Sequence, residues 1–584
     1  MDKKKNLKKK GKGSKPQLST LIKPYMRMIV LLVFLALIGN GVNLVIPKII
    51  SHGIDSFSNG AYKFRTIAIE FLSATLVIFV FTYLQSVVQT YTSEKVARDL
   101  REKLSEKISR QSYAYIQKAN PSTLLTNLTS DVDAVKLFVS QAVASIASSL
   151  FIIIGTTILL LTINWRLALT VIAIIPIIGG TFYAVLKRVR VLFKRSREII
   201  DWLNKVINES ILGAAIIRVM NSQQTEFQKF LSANTEAKNI GISILTLFAT
   251  LIPIITFVAN LATLSVLALG GHFVINGSMT LGEFAAFNSY ISILIFPIIT
   301  IGFMSNVIAR SSASYVRIDG VLKAKEPVVS GTIDKFLQGK IELNNINLVY
   351  GEKPVLKNVS FTIPPNSRTA IIGPTAAGKS QLLYLLTGLI RQNSGTIQFD
   401  GKNIEAFKKD TFHREIGIVF QESVMFNLSL RENIAFNNHV TDKSIEKAIE
   451  TAELKDFVDS LPDKLDTIVS ERGTSLSGGQ KQRIMLARAL ALHPKILLLD
   501  DFTARVDFQT EQKILTNVMK NYHDITLVTI TQKIASVKKF DQIILLMEGE
   551  VIATGKHKDL LENCPEYIQI YNSQRSTSSY ELQS

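Results

Sequence analysis

The sequence has very little cysteine, and Cys564 is its only one in 584 residues. A disulfide needs two cysteines and a cysteine-rich metal site needs several, so both are excluded within this chain. Charged residues are also scarce at 19%, whereas hydrophobic residues make up 47%. This balance indicates a membrane protein, and the length allows several domains.

Acidic residues are fewer than basic ones, with 47 Asp and Glu against 66 Lys and Arg and a net charge of +19. Such a surplus indicates either nucleic-acid binding or the positive-inside bias of a membrane protein. The apolar runs described below favour the second, so we predict no nucleic-acid partner. Residues 1–20 are predicted to be a disordered basic N-terminus. Each lysine there would contribute about 1 kcal/mol at an anionic cytoplasmic membrane surface.

Six apolar runs have about the 20 residues that a membrane span needs. They cover residues 28–50, 67–88, 138–163, 167–186, 245–269 and 284–308. The first run is longer than the apolar part of a signal peptide, so we interpret it as a retained helix. Long basic stretches follow the second and fourth runs. They predict a multi-pass protein whose termini face the cytoplasm.

The stretch after the second run has the pattern of a helix that continues out of the membrane. Apolar residues recur every four positions, at Val96, Leu100, Leu104 and Ile108. Acid-to-base pairs with the same spacing support an exposed helix; they are Glu94 with Arg98, Asp99 with Lys103, and Glu106 with Arg110. A helical rod of this kind is suited to transmitting motion to a soluble domain.

The composition changes near residue 326, where Glu-Pro and Gly-Thr pairs indicate a linker. We predict a transmembrane domain over 21–325, a linker over 326–340 and a C-terminal tail over 577–584. Between linker and tail, residues 341–576 show alternating strand and helix patterns, which predict a soluble α/β domain.

A phosphate-binding loop, GPTAAGKS, follows the apolar strand pattern of residues 368–372 and precedes a helix pattern. Backbone N–H groups at such a helix N-terminus bind phosphates, Lys379 would reach the terminal phosphates of ATP, and Ser380 would ligate Mg²⁺. The residues predicted to bind ATP here are Gly373, Pro374, Thr375, Ala376, Ala377, Gly378, Lys379, Ser380 and Gln381.

Two further strings, LSGGQ at 476–480 and ILLLDD at 496–501, complete a motif set. With them the chain resembles an ATP-binding cassette (ABC) exporter half-transporter over nearly its whole length. The resemblance implies a membrane all-α domain of six transmembrane helices fused to an α/β P-loop nucleotide-binding domain. It also implies an ATPase that drives translocation, with ATP and Mg²⁺ as cofactors.

The resemblance assigns further residues by position. Tyr350 would stack on adenine, although an ordinary strand tyrosine is the alternative. Gln421 and Asp500 would hold Mg²⁺ together with Ser380, and Asp507 would lie in a loop that crosses the dimer interface. The signature that would act on partner-bound ATP consists of Leu476, Ser477, Gly478, Gly479 and Gln480, and Glu471 with Arg472 would sense the partner. Because each site takes residues from two chains, the resemblance requires a dimer.

Two positions depart from the family pattern at the terminal phosphate. Asp501 stands where the family has a glutamate that polarises water, and Gln532 stands where it has a histidine. A misplacement of about 1 Å in a catalytic group can cost roughly a hundredfold in rate, and a glutamine carries no positive charge. The crossing loop reads ARVD instead of the more usual SALD. We therefore predict the degenerate subunit of a heterodimer, with a partner half-transporter that supplies glutamate and histidine.

The predicted function is ATP-driven export of hydrophobic or amphipathic compounds, such as drugs, across the plasma membrane. The chain would contact membrane lipid and a hydrophobic small-molecule substrate. Coupling segments are expected near 121–129 and 204–210. Lipid or peptide export, a homodimer with slow hydrolysis, and an ATP-sensing regulatory subunit remain alternatives, whereas six spans argue against a soluble ABC ATPase.

Overall fold

The computed structural model describes residues 18–327, 331–351, 353–470, 473 and 475–581. Side chains at 19, 22, 174, 175, 178, 182, 186, 251, 252, 503, 504 and 576–581 are outside this description. Most of the predicted basic N-terminus, part of the linker and most of the C-terminal tail also lie outside the described residues or side chains. The same holds for Glu471 and Arg472.

The chain forms two compact units. The first comprises Met1–Arg110 and Ala119–Lys325, and the second comprises Gln111–Lys118 and Glu326–Ser584. Eight residues from between two long helices are thus part of the second unit. Each unit has its own hydrophobic core, as expected when one apolar core per domain drives folding.

The described part of the first unit is helical. It has a 3₁₀ turn at Lys23–Tyr25 and π-helical turns at Asn127–Asp131, Phe138–Ala142 and Val266–Gly270. Its α-helices are Leu18–Ile22, Met26–Asn43, Ile46–Ser58, Phe64–Ser109, Pro121–Thr126, Val132–Leu137, Val143–Ile163, Trp165–Ile172, Ile174–Leu212, Ala214–Val219, Gln223–Ser265, Gly271–Ile275 and Leu281–Leu322. The helix Tyr113–Ala119 lies almost entirely in the second unit.

Five helical segments among the described residues are long and apolar enough to cross a membrane. They are Lys23–Ser58, Phe64–Ser109, Pro121–Ile163, Gln223–Ile275 and Leu281–Leu322. Five of the six predicted spans fall within them. The remaining prediction, 167–186, falls on Trp165–Ile172 and Ile174–Leu212. Several of its side chains lie outside the described set, so this sixth span stays a prediction.

The chain turns tightly between the third and fourth predicted spans, where Asn164 separates the helix Val143–Ile163 from the helix Trp165–Ile172. Its backbone is extended, and its side-chain oxygen accepts hydrogen bonds from the N–H groups of Arg166 and Leu167, each at 3.1 Å. An asparagine in this N-cap position stabilises a helix start by about 1 kcal/mol relative to alanine. Nearby, the buried Tyr290 hydroxyl donates to the carbonyl of Leu44 at 2.8 Å, joining two of the helices.

The apolar stripe predicted after the second span is confirmed at Val96, Leu100 and Leu104, which are buried on one side of Phe64–Ser109, whereas Ile108 is only partly buried. The acid-to-base pairs are confirmed only in part. Glu106 pairs with Arg110 at 2.7 Å. The other acids have different partners: Glu94 pairs with Lys136, and Asp99 pairs with Arg98 and accepts from Tyr25. Glu94 therefore pairs with a residue of another helix, and Asp99 pairs with its neighbour in sequence instead of the residue four positions away.

The coupling role expected near 121–129 and 204–210 stays a prediction, and the structure gives the conformation of both segments. Residues 121–129 belong to the first unit, and the neighbouring segment in the second unit is Gln111–Lys118. There, the ring of Tyr113 lies 5.8 Å from that of Tyr384. Residues 204–210 do not form a turn, because the helix Ile174–Leu212 continues until Gly213. The short helix Ala214–Val219 then precedes the next long helix.

The second unit contains two β-sheets. An antiparallel sheet has the order β2-β1-β4-β5, and a second sheet has the order β10-β9-β3-β8-β7-β6, in which all neighbours except β10 and β9 are parallel. The strands are β1 (Ile341–Tyr350), β2 (Lys353–Ile363), β3 (Arg368–Ile372), β4 (Ser394–Phe399), β5 (Lys402–Asn403), β6 (Ile416–Val419), β7 (Ile496–Asp500), β8 (Thr526–Thr531), β9 (Gln542–Met547) and β10 (Glu550–Gly555).

Helices cover both faces of the six-stranded sheet. They are Lys379–Leu386, Lys409–Arg414, Leu430–Ala435, Asp442–Thr451, Lys455–Ser460, Gly478–Leu490, Phe508–Asn521, Ile534–Val537, His557–Asn563 and Pro565–Glu581, with 3₁₀ turns at Ile404–Ala406, Lys464–Asp466 and Phe502–Arg505. Successive strand residues point to opposite faces. In β3, Ala370 and Ile372 belong to one core and Ile371 to the other, so the apolar strand prediction for 368–372 is confirmed.

Candidate functional site

The candidate site lies where four adjacent parallel strands end. In the order β3, β8, β7 and β6, the chain leaves each strand at the same edge of the sheet. Ligands bind at this carboxyl edge in open α/β sheets. The predicted phosphate loop follows β3, Gln532 follows β8, Asp501 follows β7, and Gln421 lies two residues after β6.

The phosphate loop has a backbone that demands small residues. A Cβ atom on Gly373 would lie 1.9 Å from the carbonyl oxygen of Leu546. Gly378 has a φ of 96° and caps the helix Lys379–Leu386. Ala376 has a φ of 66°, a left-handed conformation that costs a residue with a Cβ roughly 1–2 kcal/mol. Glycine would fit there without strain, so the alanine is tolerated but not favoured.

Lys379 lies inside the loop, with only 9% of its surface exposed. Its Nζ donates hydrogen bonds to the carbonyl oxygens of Gly373 at 2.8 Å and Pro374 at 2.7 Å. Burial lowers the pKa of this amine, and the nearby charges of Asp501 and Asp500 oppose that effect. The arrangement places one buried ammonium group among carbonyl oxygens, where terminal phosphates can compete for it.

Asp500 ends the strand β7 as a buried carboxylate that is 3% exposed. The hydroxyl of Ser380 donates to its Oδ1 at 3.3 Å. Burial raises the pKa of Asp500, and the hydrogen bond from Ser380 offsets part of that rise. The Ser380 hydroxyl oxygen and a carboxylate oxygen of Asp500 therefore lie side by side at the start of the helix Lys379–Leu386.

These two oxygens fit a magnesium ion. Mg²⁺ prefers hard oxygen ligands and is usually held by one or two carboxylates together with substrate phosphates. A buried carboxylate is expensive unless it is paired or coordinates a metal, and the hydrogen bond that Asp500 accepts from Ser380 is long, at 3.3 Å. Gln421 lines the same pocket and would supply a third oxygen.

The two departures from the family pattern lie on the same pocket. Asp501 has a left-handed backbone, with φ 45° and ψ 36°, a region in which aspartate is enriched over most residues. Its N–H donates to the carbonyl of Ile530 at 2.9 Å, which fixes the chain after β7 to β8. The Nε2 of Gln532 donates to the hydroxyl of Thr375 in the phosphate loop at 3.3 Å.

Tyr350 and Gln421 lie at the mouth of the pocket. Tyr350 is half exposed, and its hydroxyl donates to Oε1 of Gln381 at 2.8 Å. An exposed ring beside the loop helix is suited to stacking on a base. The carbonyl of Gln421 accepts from Nε2 of Gln482 at 3.0 Å, so the loop after β6 is attached to the helix that follows the signature.

Gln482 was not among the sequence predictions. It is 1% exposed and faces the core on Gly478–Leu490, where Leu486 and Ala489 continue the same buried face. Arg488, further along this helix, donates to the carbonyl of Val424 at 3.1 Å. A polar residue on an otherwise apolar helical face was the available signal, since a buried polar group needs a partner.

The signature begins the helix Gly478–Leu490. Ser477 and Gln480 form a capping box, in which the Ser477 hydroxyl accepts from the Gln480 N–H at 3.2 Å and the Gln480 side chain accepts from the Ser477 N–H at 2.8 Å. Leu476 packs against the core. The glycines leave room for Arg505, since a Cβ on Gly479 would lie 2.8 Å from its carbonyl oxygen.

Asp507 caps the next helix rather than contacting the pocket. Its carboxylate accepts from the N–H of Thr510 at 2.9 Å, at the start of Phe508–Asn521. This hydrogen bond lowers the pKa of Asp507. The predicted role at a dimer interface therefore stays a prediction, and within this chain the residue has a structural role.

The fold brings most predicted nucleotide-binding residues around one cavity of about 370 Å³. Its lining consists of Tyr350, Val355, Thr375, Ala376, Ala377, Gly378, Lys379, Ser380, Gln381, Gln421, Asp500, Asp501, Ile530, Thr531 and Gln532. The signature residues and Asp507 do not line it. This separation is what a site shared between two chains requires.

Comparison with known proteins gives matches over both units. Residues 29–298 match the ABC transporter transmembrane region family, and residues 356–504 match the ABC transporter family. The uncharacterized ABC transporter ATP-binding protein YfiB of Bacillus subtilis is 32% identical over 95% of this chain and 98% of its own length. The multidrug resistance-like ATP-binding protein MdlA of Buchnera aphidicola is 29% identical over 96% and 97%.

A solved structure has the same fold. The ATP-bound structure of a bacterial Atm1-family ABC exporter superimposes with a TM-score of 0.78 at 23% identity, over 94% of this chain and 98% of that one. The predicted fold class, a helical exporter-type membrane domain followed by an α/β nucleotide-binding domain, is thereby confirmed.

Proposed function

This chain belongs to the ABC transporter family, as a half-transporter with one membrane region and one ATP-binding domain, and we propose that it is the degenerate-site subunit of a heterodimeric multidrug exporter. ATP-driven transport follows from the family. The heterodimer, the weak site and the cargo are the proposal. One observation carries it: Asp501 and Gln532, both altered from the family pattern, line the same pocket as an intact Lys379.

Binding of ATP by this chain uses an intact set of groups. The loop N–H groups and the Lys379 ammonium bind the phosphates, and the Tyr350 ring accepts the base. Ser380, Asp500 and Gln421 would hold Mg²⁺, which neutralises charge on the phosphates when bound. The buried Lys379 exchanges its carbonyl partners for phosphate oxygens, so binding leaves no buried charge unpaired.

Hydrolysis by the same pocket is weakened at two points. A general base must reach the proton of the attacking water, and Asp501 is one methylene shorter than glutamate. The Gln532 amide can donate a hydrogen bond to the terminal phosphate but offers no positive charge to the transition state. ATP therefore stays bound at this site and supports closure of the dimer.

Efficient hydrolysis is assigned to a second ATP site, which this chain forms together with its partner. The signature starts a well-capped helix, and helix N-termini attract anions. The signature of this chain would thus complete a competent site on a partner that carries glutamate and histidine. Turnover in that second site drives the transport cycle.

The cargo is proposed to be hydrophobic or amphipathic. The similarity to a multidrug resistance-like protein over nearly the whole chain supports this assignment. The membrane is the plasma membrane, and the nucleotide-binding domain and both termini are cytoplasmic, since basic loops favour that side. We keep the domain limits 21–325 for the membrane domain and 341–576 for the nucleotide-binding domain as part of this proposal.

The experiment restores the missing groups. The purified full chain, without its partner, is compared with Asp501→Glu, Gln532→His and the double variant. We expect slow ATP turnover in the unaltered chain and a rise of about a hundredfold in the double variant. Brisk turnover in the unaltered chain that Asp501→Asn abolishes would contradict the proposal. Vesicle uptake of a dye, a labelled lipid or a peptide by the complex then identifies the cargo class.

A further inference from the structure

The C-terminal helix Pro565–Glu581 contacts the chain that follows β8 along one face. Tyr567, Tyr571 and Gln574 are spaced four and three residues apart, so they lie on the same side of the helix. Tyr567 is fully buried, and its hydroxyl lies 2.7 Å from Nδ1 of His557. The Tyr571 ring lies 4.9 Å from the Lys538 ammonium. These contacts fix the helix beside the segment 532–538.

Gln574 connects this helix to the nucleotide pocket. Its Nε2 donates to the backbone carbonyl of Gln532 at 2.6 Å, and its Oε1 accepts from the N–H of Ile534 at 3.0 Å. An amide side chain has a donor and an acceptor, so a single residue holds both sides of the turn. Ile534 begins the short helix Ile534–Val537, whose first N–H groups lack partners within the helix.

The turn to which Gln574 is hydrogen-bonded contains Gln532 and sets the direction of its side chain. The Gln532 side chain lines the pocket and reaches Thr375 of the phosphate loop at 3.3 Å, while its own carbonyl points to the C-terminal helix. The backbone and the side chain of Gln532 thus link the C-terminal helix to the phosphate loop, two elements far apart in sequence. A shift of the turn would move the amide away from the terminal phosphate.

We propose that Gln574 is a positioning residue that sets Gln532 against the terminal phosphate of ATP. The C-terminal helix is thereby part of the device that distinguishes a triphosphate from a diphosphate. This inference rests on the proposed role of Gln532. It goes beyond that role because it assigns nucleotide discrimination to a helix outside the family's motifs.

The test measures ATP and ADP affinities of the full-length chain in detergent, with a slowly hydrolysed ATP analogue in parallel. Gln574→Ala removes both hydrogen bonds, and Gln574→Glu retains the acceptor for the Ile534 N–H but loses the donor to Gln532. Asn572→Ala, at an exposed position of the same helix, is the matched control. Thermal unfolding checks that each variant is folded.

We expect Gln574→Ala to weaken ATP binding about tenfold, the value of one good hydrogen bond, with ADP affinity unchanged. Gln574→Glu should lose part of the ATP preference, and Asn572→Ala none. Equal losses of ATP and ADP affinity, or no loss in a folded Gln574→Ala variant, would overturn the inference.

A further variant separates this inference from the proposed function. Gln532→Ala should reduce the preference for ATP as much as Gln574→Ala, and the double variant should show no additional loss, because the two residues act as one unit. If Gln532→Ala leaves the preference intact, the proposed role of Gln532 fails. If Gln532→Ala reduces it and Gln574→Ala does not, only the role of Gln574 fails.

Discussion

Lys379 is the residue on which nucleotide binding depends most directly. Before ATP binds, its ammonium is satisfied by the carbonyl oxygens of Gly373 and Pro374, and those contacts hold the loop in shape. The phosphates replace weak neutral acceptors with charged ones, and charge-assisted hydrogen bonds are roughly twice as strong as neutral ones. The loop is therefore preorganised and needs little rearrangement.

Replacing this lysine should abolish most of the affinity. We expect Lys379→Ala to weaken ATP binding by about 10- to 100-fold, corresponding to the roughly 1.5–3 kcal/mol of a hydrogen bond to a charged group. Fluorescent-nucleotide titration of the full chain measures it. Lys402→Ala removes an exposed lysine on β5 and serves as the control. Equal affinities for the unaltered chain and Lys379→Ala would contradict the role given to the loop.

The sequence motifs identified the residues that carry the chemistry but not those that hold them in place. Lys379, Ser380 and Asp500 occur at fixed spacings after strand patterns, so they could be predicted. Gln482 stands out in sequence as a polar residue on an apolar helical face, but the partners of Gln482 and Gln574 could not be predicted, because each bonds to backbone atoms about 40 to 60 residues away. Only the folded chain brings such partners together.

At the level of elements, the pattern of apolar residues predicted burial better than the spacing of charged residues predicted ion pairs. The stripe through Val96, Leu100 and Leu104 is buried as expected. The predicted partner of Glu94 was wrong, because Lys136 on another helix pairs with it. Exposed ion pairs contribute only about 0–1 kcal/mol, so neighbouring elements easily change them. Residues 204–210, expected to be a coupling segment, lie inside the helix Ile174–Leu212, whose C-cap is Gly213.

The helix Phe508–Asn521 carries a buried acid, Glu511, whose stability effect depends on pH. Burial raises the pKa of Glu511, while the Ser536 hydroxyl and the Lys533 charge oppose the rise. Above the raised folded pKa the buried carboxylate is charged and costs stability. That cost shrinks as the pH falls through the folded pKa and disappears below the unfolded pKa, where both states are protonated.

Glu511→Gln removes the charge at every pH. We therefore expect this variant to unfold at a higher temperature than the unaltered chain at about pH 8, with a difference that narrows toward about pH 5. Thermal scans in detergent measure it. Glu562→Gln, at an exposed position, should show no such trend. A variant that is less stable at the higher pH would mean that Lys533 stabilises the ionised form more than burial destabilises it.

At the level of the whole molecule, the chain has half of what each ATP site needs. Its phosphate loop lies on one cavity, and its signature lies outside that cavity. ABC exporters act as dimers, and in the function proposed above a second chain would contribute the residues that this pocket does not contain. The sequence predicted a dimer through the family resemblance, whereas only the structure shows that Gln111–Lys118 belongs to the second unit.

The single cysteine makes the membrane topology directly testable. Cys564→Ser gives a cysteine-free background. Into it, Ala61→Cys or Ser278→Cys is introduced at an exposed position between long helices, or Gln223→Cys at the exposed first residue of the helix Gln223–Ser265. A membrane-impermeant maleimide on intact cells should label the first two and not the third, since the basic stretches are proposed to face the cytoplasm. Labelling of Gln223→Cys in intact cells would contradict the orientation.

The nucleotide retained by this chain during transport tests the central claim most directly. The complex with its partner is supplied with a photoreactive ATP labelled at the α-phosphate, crosslinked under turnover, and separated into its subunits. We predict intact triphosphate on this chain and diphosphate on the partner, because Asp501 and Gln532 bind ATP without cleaving it efficiently. Diphosphate on this chain with triphosphate on the partner would contradict the account.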